Sequence, residues 1–149
     1  MPDELLRPTI GAGVDMSARP WRLMSQTYVA FFGGVIASTV IAFLNARRLG
    51  VPTDKRRLIL GIGAIGLGLA AVVITLLADD TSTSSGIRVA VRLVAVVACL
   101  AQLRIQQPMD RAFQLRGSEY GSLWGPGIAA VIGLGLLEAL LLALVVVAL

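Results

Sequence analysis

Few side chains in this sequence could do chemistry, and the informative ones lie inside apolar runs. Glu138 stands alone in VIGLGLLEALLLALVVVAL, and Arg88 and Arg92 open IRVAVRLVAVVACLAQLRIQQ, with Gln102 following at helical spacing. A carboxylate that stays charged in the middle of a bilayer costs roughly 2.5–3.5 kcal/mol on insertion scales, so it must be paired, protonated or in contact with water. Arg92 lies about one and a half turns inside its run, and its long side chain can extend inward to Glu138 or outward to Asp79 or Asp80. A protonated Glu138 can instead bond Ser38, Gln102 or a backbone carbonyl. The candidate intramembrane polar site is therefore Glu138, Arg92, Arg88, Gln102 and Ser38. It can either fix which helices are neighbours or pass a proton or cation.

Other chemistries lack their parts. There is no histidine, which removes the commonest general base and metal ligand together. The single cysteine, Cys99, sits in an apolar run and can form no intramolecular disulfide. Ser38 and Thr39 have no base nearby, and Asp79 and Asp80 are adjacent at the end of a run, unlike the paired membrane aspartates of an intramembrane protease. No catalytic residue, metal set or cofactor is expected, and the chain does not read as an enzyme. Gly61-Ile-Gly63-Ala-Ile-Gly66 formally matches a dinucleotide-binding pattern, but it lies inside an uninterrupted apolar run without the strand that such a site needs. A net charge of +4 and a pI near 10.2 could suggest nucleic acid. The basic residues flank apolar runs, however, and no nucleic acid is expected.

The elements that must position these residues are helices in a membrane. Apolar residues make up 56% of the chain and charged residues 15%, with a mean hydropathy of +0.83; a soluble domain has about 25% charged residues. Four windows, about residues 28–46, 58–77, 87–103 and 124–149, approach the roughly 20 apolar residues that a helix needs to cross a bilayer. The expected fold is all-α: a polytopic membrane protein with four transmembrane helices in an antiparallel bundle. Residues 25–149 would form a single membrane domain after a flexible polar tail at 1–24. Ala30, Gly34, Ser38 and Ala42 (then Ala46) recur at every fourth position of the first window, a groove for close helix packing. Gly68 with Ala64, Gly66 with Ala70, and Gly127, Gly135, Ala139 and Ala143 extend this small-residue pattern to other spans. Arg88, Arg92, Ala95, Cys99, Gln102 and Gln106 share one face of the third span, which should turn toward other helices.

Aromatic residues Trp21, Tyr28, Tyr120 and Trp124 suit the membrane interface. Ser122 can cap the fourth span, with Pro126 in its first turn. Pro108 can start a short interfacial helix ended by Gly117, or that segment is a structured loop. Lys and Arg counts favour cytoplasmic placement of 47–57 and 104–116: Arg47, Arg48, Lys55, Arg56, Arg57, Arg104, Arg111 and Arg116 oppose Arg7, Arg19, Arg22 and Arg88. Both termini are then expected outside. Arginine outnumbers lysine twelve to one, which hints at a bacterium with GC-rich coding.

Phe32-Gly33-Gly34, Ala37, and Asn45-Ala46-Arg47-Arg48-Leu49-Gly50, with Gly117 and Ser122-Leu-Trp124 later, resemble a family of small uncharacterised four-span bacterial membrane proteins. Val35 stands where that family commonly has proline, so the resemblance carries no expectation of a proline kink here. It implies a multi-pass protein of the bacterial cytoplasmic membrane and no particular activity. The expected role is non-enzymatic, structural or in interaction, with the lipid bilayer and a second copy or another membrane protein as partners. The alternative is a small proton- or ion-coupled transporter that uses Glu138.

Overall fold

The computed structural model describes residues 19–77 and 84–148. Four helices follow one another: α1 (Ser25–Arg48), α2 (Thr53–Leu77), α3 (Ser84–Leu115) and α4 (Trp124–Ala148). All are long and apolar enough to cross a membrane, and no strand occurs among the described residues. The all-helical, four-helix membrane architecture expected from the sequence is therefore present. Residues 1–18 of the tail expected at 1–24, and the polar connection holding Asp79 and Asp80, lie outside the described residues.

The path of α1 is not the expected one. Its backbone breaks at Gly34 (φ 83°, ψ −165°), a region of backbone space that is essentially restricted to glycine. The residues on either side show how far the chain turns. Trp21 N–H donates to Asn45 Oδ1 (2.6 Å) and Asn45 Nδ2 donates back to the Trp21 carbonyl (3.2 Å). The Arg48 guanidinium lies 4.0 Å from the Trp21 ring centroid and donates to the Arg19 carbonyl (3.1 Å). A straight helix would hold Ser25 and Asn45 about 30 Å apart, so α1 must double back at Gly34. Residues 25–33 descend into the bundle, and residues 35–48 return to the end where they began.

The first window is thus a helical hairpin that turns back at Gly34, whereas α2, α3 and α4 are unbroken helices of membrane-spanning length. This corrects the expected sidedness of the segment before α1. Residues 19–23 lie beside the start of α2 and beside the α3–α4 connection, where Gly121 N–H donates to the Pro20 carbonyl (2.8 Å). Trp21 is 2% exposed; it packs between these segments and does not sit at the lipid interface as expected.

The hairpin is the hub of the bundle. α1 packs on all three other helices, whereas α3 and α4 make no contact with each other among the described residues. One apolar cluster joins Leu23 and Ala30 to Ala42, Ala46, Ile59, Cys99 and Leu103, and a second joins Trp21 and Val29 to Ala37, Ile41 and Ala130. Ala30, Ser38 and Ala42 are all fully buried, but on two antiparallel limbs rather than along one stripe.

Two other boundaries differ from expectation. α2 begins at Thr53, so Lys55, Arg56 and Arg57 belong to its first turns; Arg56 N–H bonds the Pro52 carbonyl (3.0 Å) and its guanidinium bonds Thr53 Oγ1 (2.9 Å). α3 continues through Pro108 to Leu115, so the segment expected to be a separate short helix or loop is its last turns. At 32 residues and about 1.5 Å per residue, α3 is longer than a bilayer core is thick.

Small residues on α2 meet their neighbours at Gly63, Gly66 and Ala70, which are buried. A Cβ added at Gly66 would lie 3.1 Å from the Ala98 Cβ and 3.2 Å from Val35 Cγ1. Gly68, expected in the packing face, points outward with nothing within 4 Å, because two residues on from Gly66 is the far side of a helix. Ala64, Ala139 and Ala143 are likewise exposed, whereas Gly127 and Gly135 approach α1.

A Cβ at Gly34 would sit 2.6 Å from the Glu138 carboxyl carbon. Gly34→Ala therefore combines backbone strain of about 1–3 kcal/mol with direct overlap. It should lower the thermal midpoint of the purified protein sharply, while Gly68→Ala should leave it within a degree or two; equal effects would contradict the break. In a Cys99→Ala background, cysteines introduced separately at Arg19 and Thr53 should be labelled from the same side of intact vesicles, and one at Ser85 from the other. Labelling of positions 19 and 53 from opposite sides would restore a continuous first span.

Candidate functional site

A regular α-helix pairs the N–H of residue i with the carbonyl of residue i−4. The turn at Gly34 separates several such pairs, among them the Ile36 N–H and the Phe32 carbonyl. Both groups are then left inside an apolar layer, where an unpaired backbone group costs about 1–3 kcal/mol or more. Each finds a side chain from a different helix. Ile36 N–H donates to Glu138 Oε2 on α4 (2.6 Å), and Arg92 on α3 donates through Nη1 to the Phe32 carbonyl (2.8 Å).

The charges fit the ends they meet. The second limb of α1 starts at the break, and its N-terminus carries partial positive charge toward Glu138. The first limb ends there, and its C-terminal carbonyls attract the Arg92 guanidinium. Glu138 is 4% exposed and lies about 21 Å along α4 from Trp124. That depth matches the 14-residue second limb, 35–48, which is also about 21 Å long. Gly33 lets the hairpin approach α4 closely: a Cβ there would lie 3.1 Å from the Val131 Cα, and one on Gly135 would lie 3.2 Å from the Gly33 carbonyl oxygen.

The structure thus brings Glu138 and Arg92 to the same break but not to each other. Among the described residues the only ion pair is Arg19 with Glu119 (3.5 Å), at the surface. The expected direct pair fails for a steric reason, because the α1 hairpin stands between α3 and α4. Ser38 does not bond Glu138 either; its hydroxyl donates to the Val35 carbonyl one turn back (3.0 Å). Gln102 is buried away from the break and donates to Thr39 Oγ1 (2.9 Å) and the Ile59 carbonyl (3.1 Å), tying α3 to α1 and α2. Arg88 is exposed near the start of α3 and takes no part.

A second polar cluster closes the open end of the hairpin. Asn45 Nδ2 donates to Gln106 Oε1 (3.0 Å), and Gln106 Nε2 reaches Gln26 Oε1 (3.5 Å), so one glutamine from α3 bridges both limbs. Gln106 was visible in the sequence as the end of the polar stripe on α3. Its partners Asn45 and Gln26, and Trp21 bound to Asn45, carried no such signal, because their nearness exists only once the chain turns back. The pair Gly33-Gly34 was the available clue to that turn.

Below this cluster, the last turns of α3 hold the connection to α4. Asp110 accepts from Tyr120 Oη (2.9 Å) and Gln114 Nε2 (2.9 Å). Burial, and then the hydrogen bond to Asp110, raise the Tyr120 pKa above its ordinary 10.0. The Ser122 hydroxyl accepts from Trp124 N–H (3.4 Å) at the start of α4, as expected of a cap.

Fold and site together define an all-helical, multi-pass membrane protein with a re-entrant first hairpin closed by two ionisable side chains. No family model, curated protein or solved structure matches the chain.

Glu138→Gln keeps an acceptor oxygen for Ile36 N–H and should cost little folded yield. Glu138→Leu removes it and should lose about 1–3 kcal/mol, the cost of leaving a buried donor unsatisfied. Arg92→Met should be destabilising in the same range and Arg92→Lys much less so. Midpoints of thermal unfolding in detergent check this series. Leu and Gln variants of equal stability would rule out the acceptor role.

Proposed function

We propose that this chain is a non-enzymatic integral membrane protein with a structural or interaction role. The observation that carries the reading is the division of labour at Gly34. Glu138 and Arg92, the two residues that most invite a transport mechanism, each satisfy one half of a backbone hydrogen bond that the hairpin breaks. Their expense is accounted for by the fold. Candidate partners are a second copy of the chain or another membrane protein, met through the apolar outer faces of α2 and α4.

A bacterial cytoplasmic membrane fits the arginine-rich composition and the family resemblance. Orientation follows from charge: among the described residues, Arg19, Arg22, Arg47, Arg48, Lys55, Arg56, Arg57, Arg104, Arg111 and Arg116 lie toward one end, against Arg88 and, deeper in the bundle, Arg92 toward the other. That bias places the hairpin's open end in the cytoplasm and the C-terminal end of α4 outside.

One observation favours transport as the second reading. Helices broken within the apolar layer, with an ionisable group on the new terminus, are the way many transporters build substrate and ion sites. The two readings part on Glu138→Gln in proteoliposomes. The structural role predicts folded protein and proton-coupled flux, across a panel of solutes, no different from native. A native flux that vanishes in a folded Glu138→Gln protein would establish transport instead.

A further inference from the structure

A groove of about 1050 Å³ runs between the first limb of α1 and the start of α4. It lies at the basic end of the bundle, and its walls change character along the membrane normal. Arg22, Ser25, Ser118, Tyr120 and Ser122 line its mouth, and Val29, Phe32, Gly127, Ile128 and Val131 line its depth. We propose that this groove binds one anionic phospholipid of the surrounding leaflet, with the headgroup at Arg22 and an acyl chain along Val29, Phe32 and Val131.

The polarity gradient is the first argument. From Trp124 to Val131 the groove descends about 10 Å along α4, passing from hydroxyl and guanidinium groups to hydrocarbon, as a phospholipid does. A helix from a second copy would not call for that gradient. The second argument is charge. Arg22 has no carboxylate partner among the described residues; its guanidinium lies 5.7 Å from the Tyr120 ring centroid, on the wall of the groove. The acidic residue at the mouth, Glu119, is paired with Arg19. The third is access. Tyr28 (71% exposed) and Trp124 (80% exposed) flank the opening on the side where Phe32 and Ile128 are also exposed, so the groove opens toward lipid, with aromatic rings at headgroup level. A basic pocket between helices at the membrane surface is suited to an anionic headgroup.

The test uses the full chain reconstituted in vesicles of equal phosphatidylglycerol and phosphatidylcholine, extracted in mild detergent, with retained lipid counted by mass spectrometry. The native protein should keep about one phosphatidylglycerol, favoured roughly fivefold over phosphatidylcholine, as one basic side chain near the surface provides. Arg22→Gln should abolish the preference, Arg22→Lys should keep most of it, and Arg57→Gln, at an exposed residue of the same end that does not line the groove, should leave it unchanged. Should Arg22→Gln fail to fold, the native ratio and the Lys variant decide. Retention of the two lipids in their vesicle ratio would overturn the proposal. So would equal losses in the Arg57 and Arg22 variants, which would mean general surface attraction. Displacement by inorganic phosphate would assign the site to a free anion, and a lipid-free dimer would assign the groove to a second copy; either result also defeats it.

Discussion

In hydrocarbon no water can take the place of a missing backbone hydrogen bond, and this constraint organises the molecule around Gly34. A chain that turns there must find a donor for the Phe32 carbonyl and an acceptor for the Ile36 N–H without leaving the apolar layer. Arg92 and Glu138 provide them, from helices that do not otherwise touch. Because each partner comes from a different crossing helix, the turn also fixes where α3 and α4 stand. The buried Glu138 and the half-buried Arg92 are thus part of the architecture, held by backbone rather than by each other.

The same turn explains the distribution of the other polar residues. A hairpin brings its two ends together, and those ends must be joined to something. Asn45 clasps the backbone of Trp21, Gln106 reaches from α3 to both limbs, and Arg48 covers the Trp21 ring. Glycine permits the close approaches elsewhere, at Gly33 and Gly135 where α1 meets α4 and at Gly63 against Thr39. What remains outward on α2 and α4 is almost wholly apolar, as lipid-facing helices require.

Much of the fold was legible in the sequence. Windows nearly free of charge marked four helices of membrane-spanning length, Ser122 marked the start of α4, and Glu138 and Arg92 stood out as residues that needed partners. The turn was not legible, because the small residues from Ala30 to Ala42 fit one helical stripe as well as they fit two limbs of a hairpin. Periodicity records which residues are small and cannot record that the axis reverses between them. Without the reversal, Trp21 looked like an interfacial ring and Asn45 like a helix exit, and the Lys and Arg count split across two sides. The run of charge after Leu103 likewise suggested a loop, whereas polar residues such as Gln106 and Asp110 are buried on a helix that simply continues.

The central claim is that α1 folds back, and the distance between its ends measures it directly. Spin labels on cysteines introduced at Met24 and Arg47, in a Cys99→Ala background, report that distance by pulsed electron paramagnetic resonance. A continuous helix would separate these positions by about 35 Å. The hairpin predicts a distribution centred below about half of that value, in detergent and in bilayers alike. A single peak near the full helical length would contradict it, and with it the roles assigned here to Glu138 and Arg92.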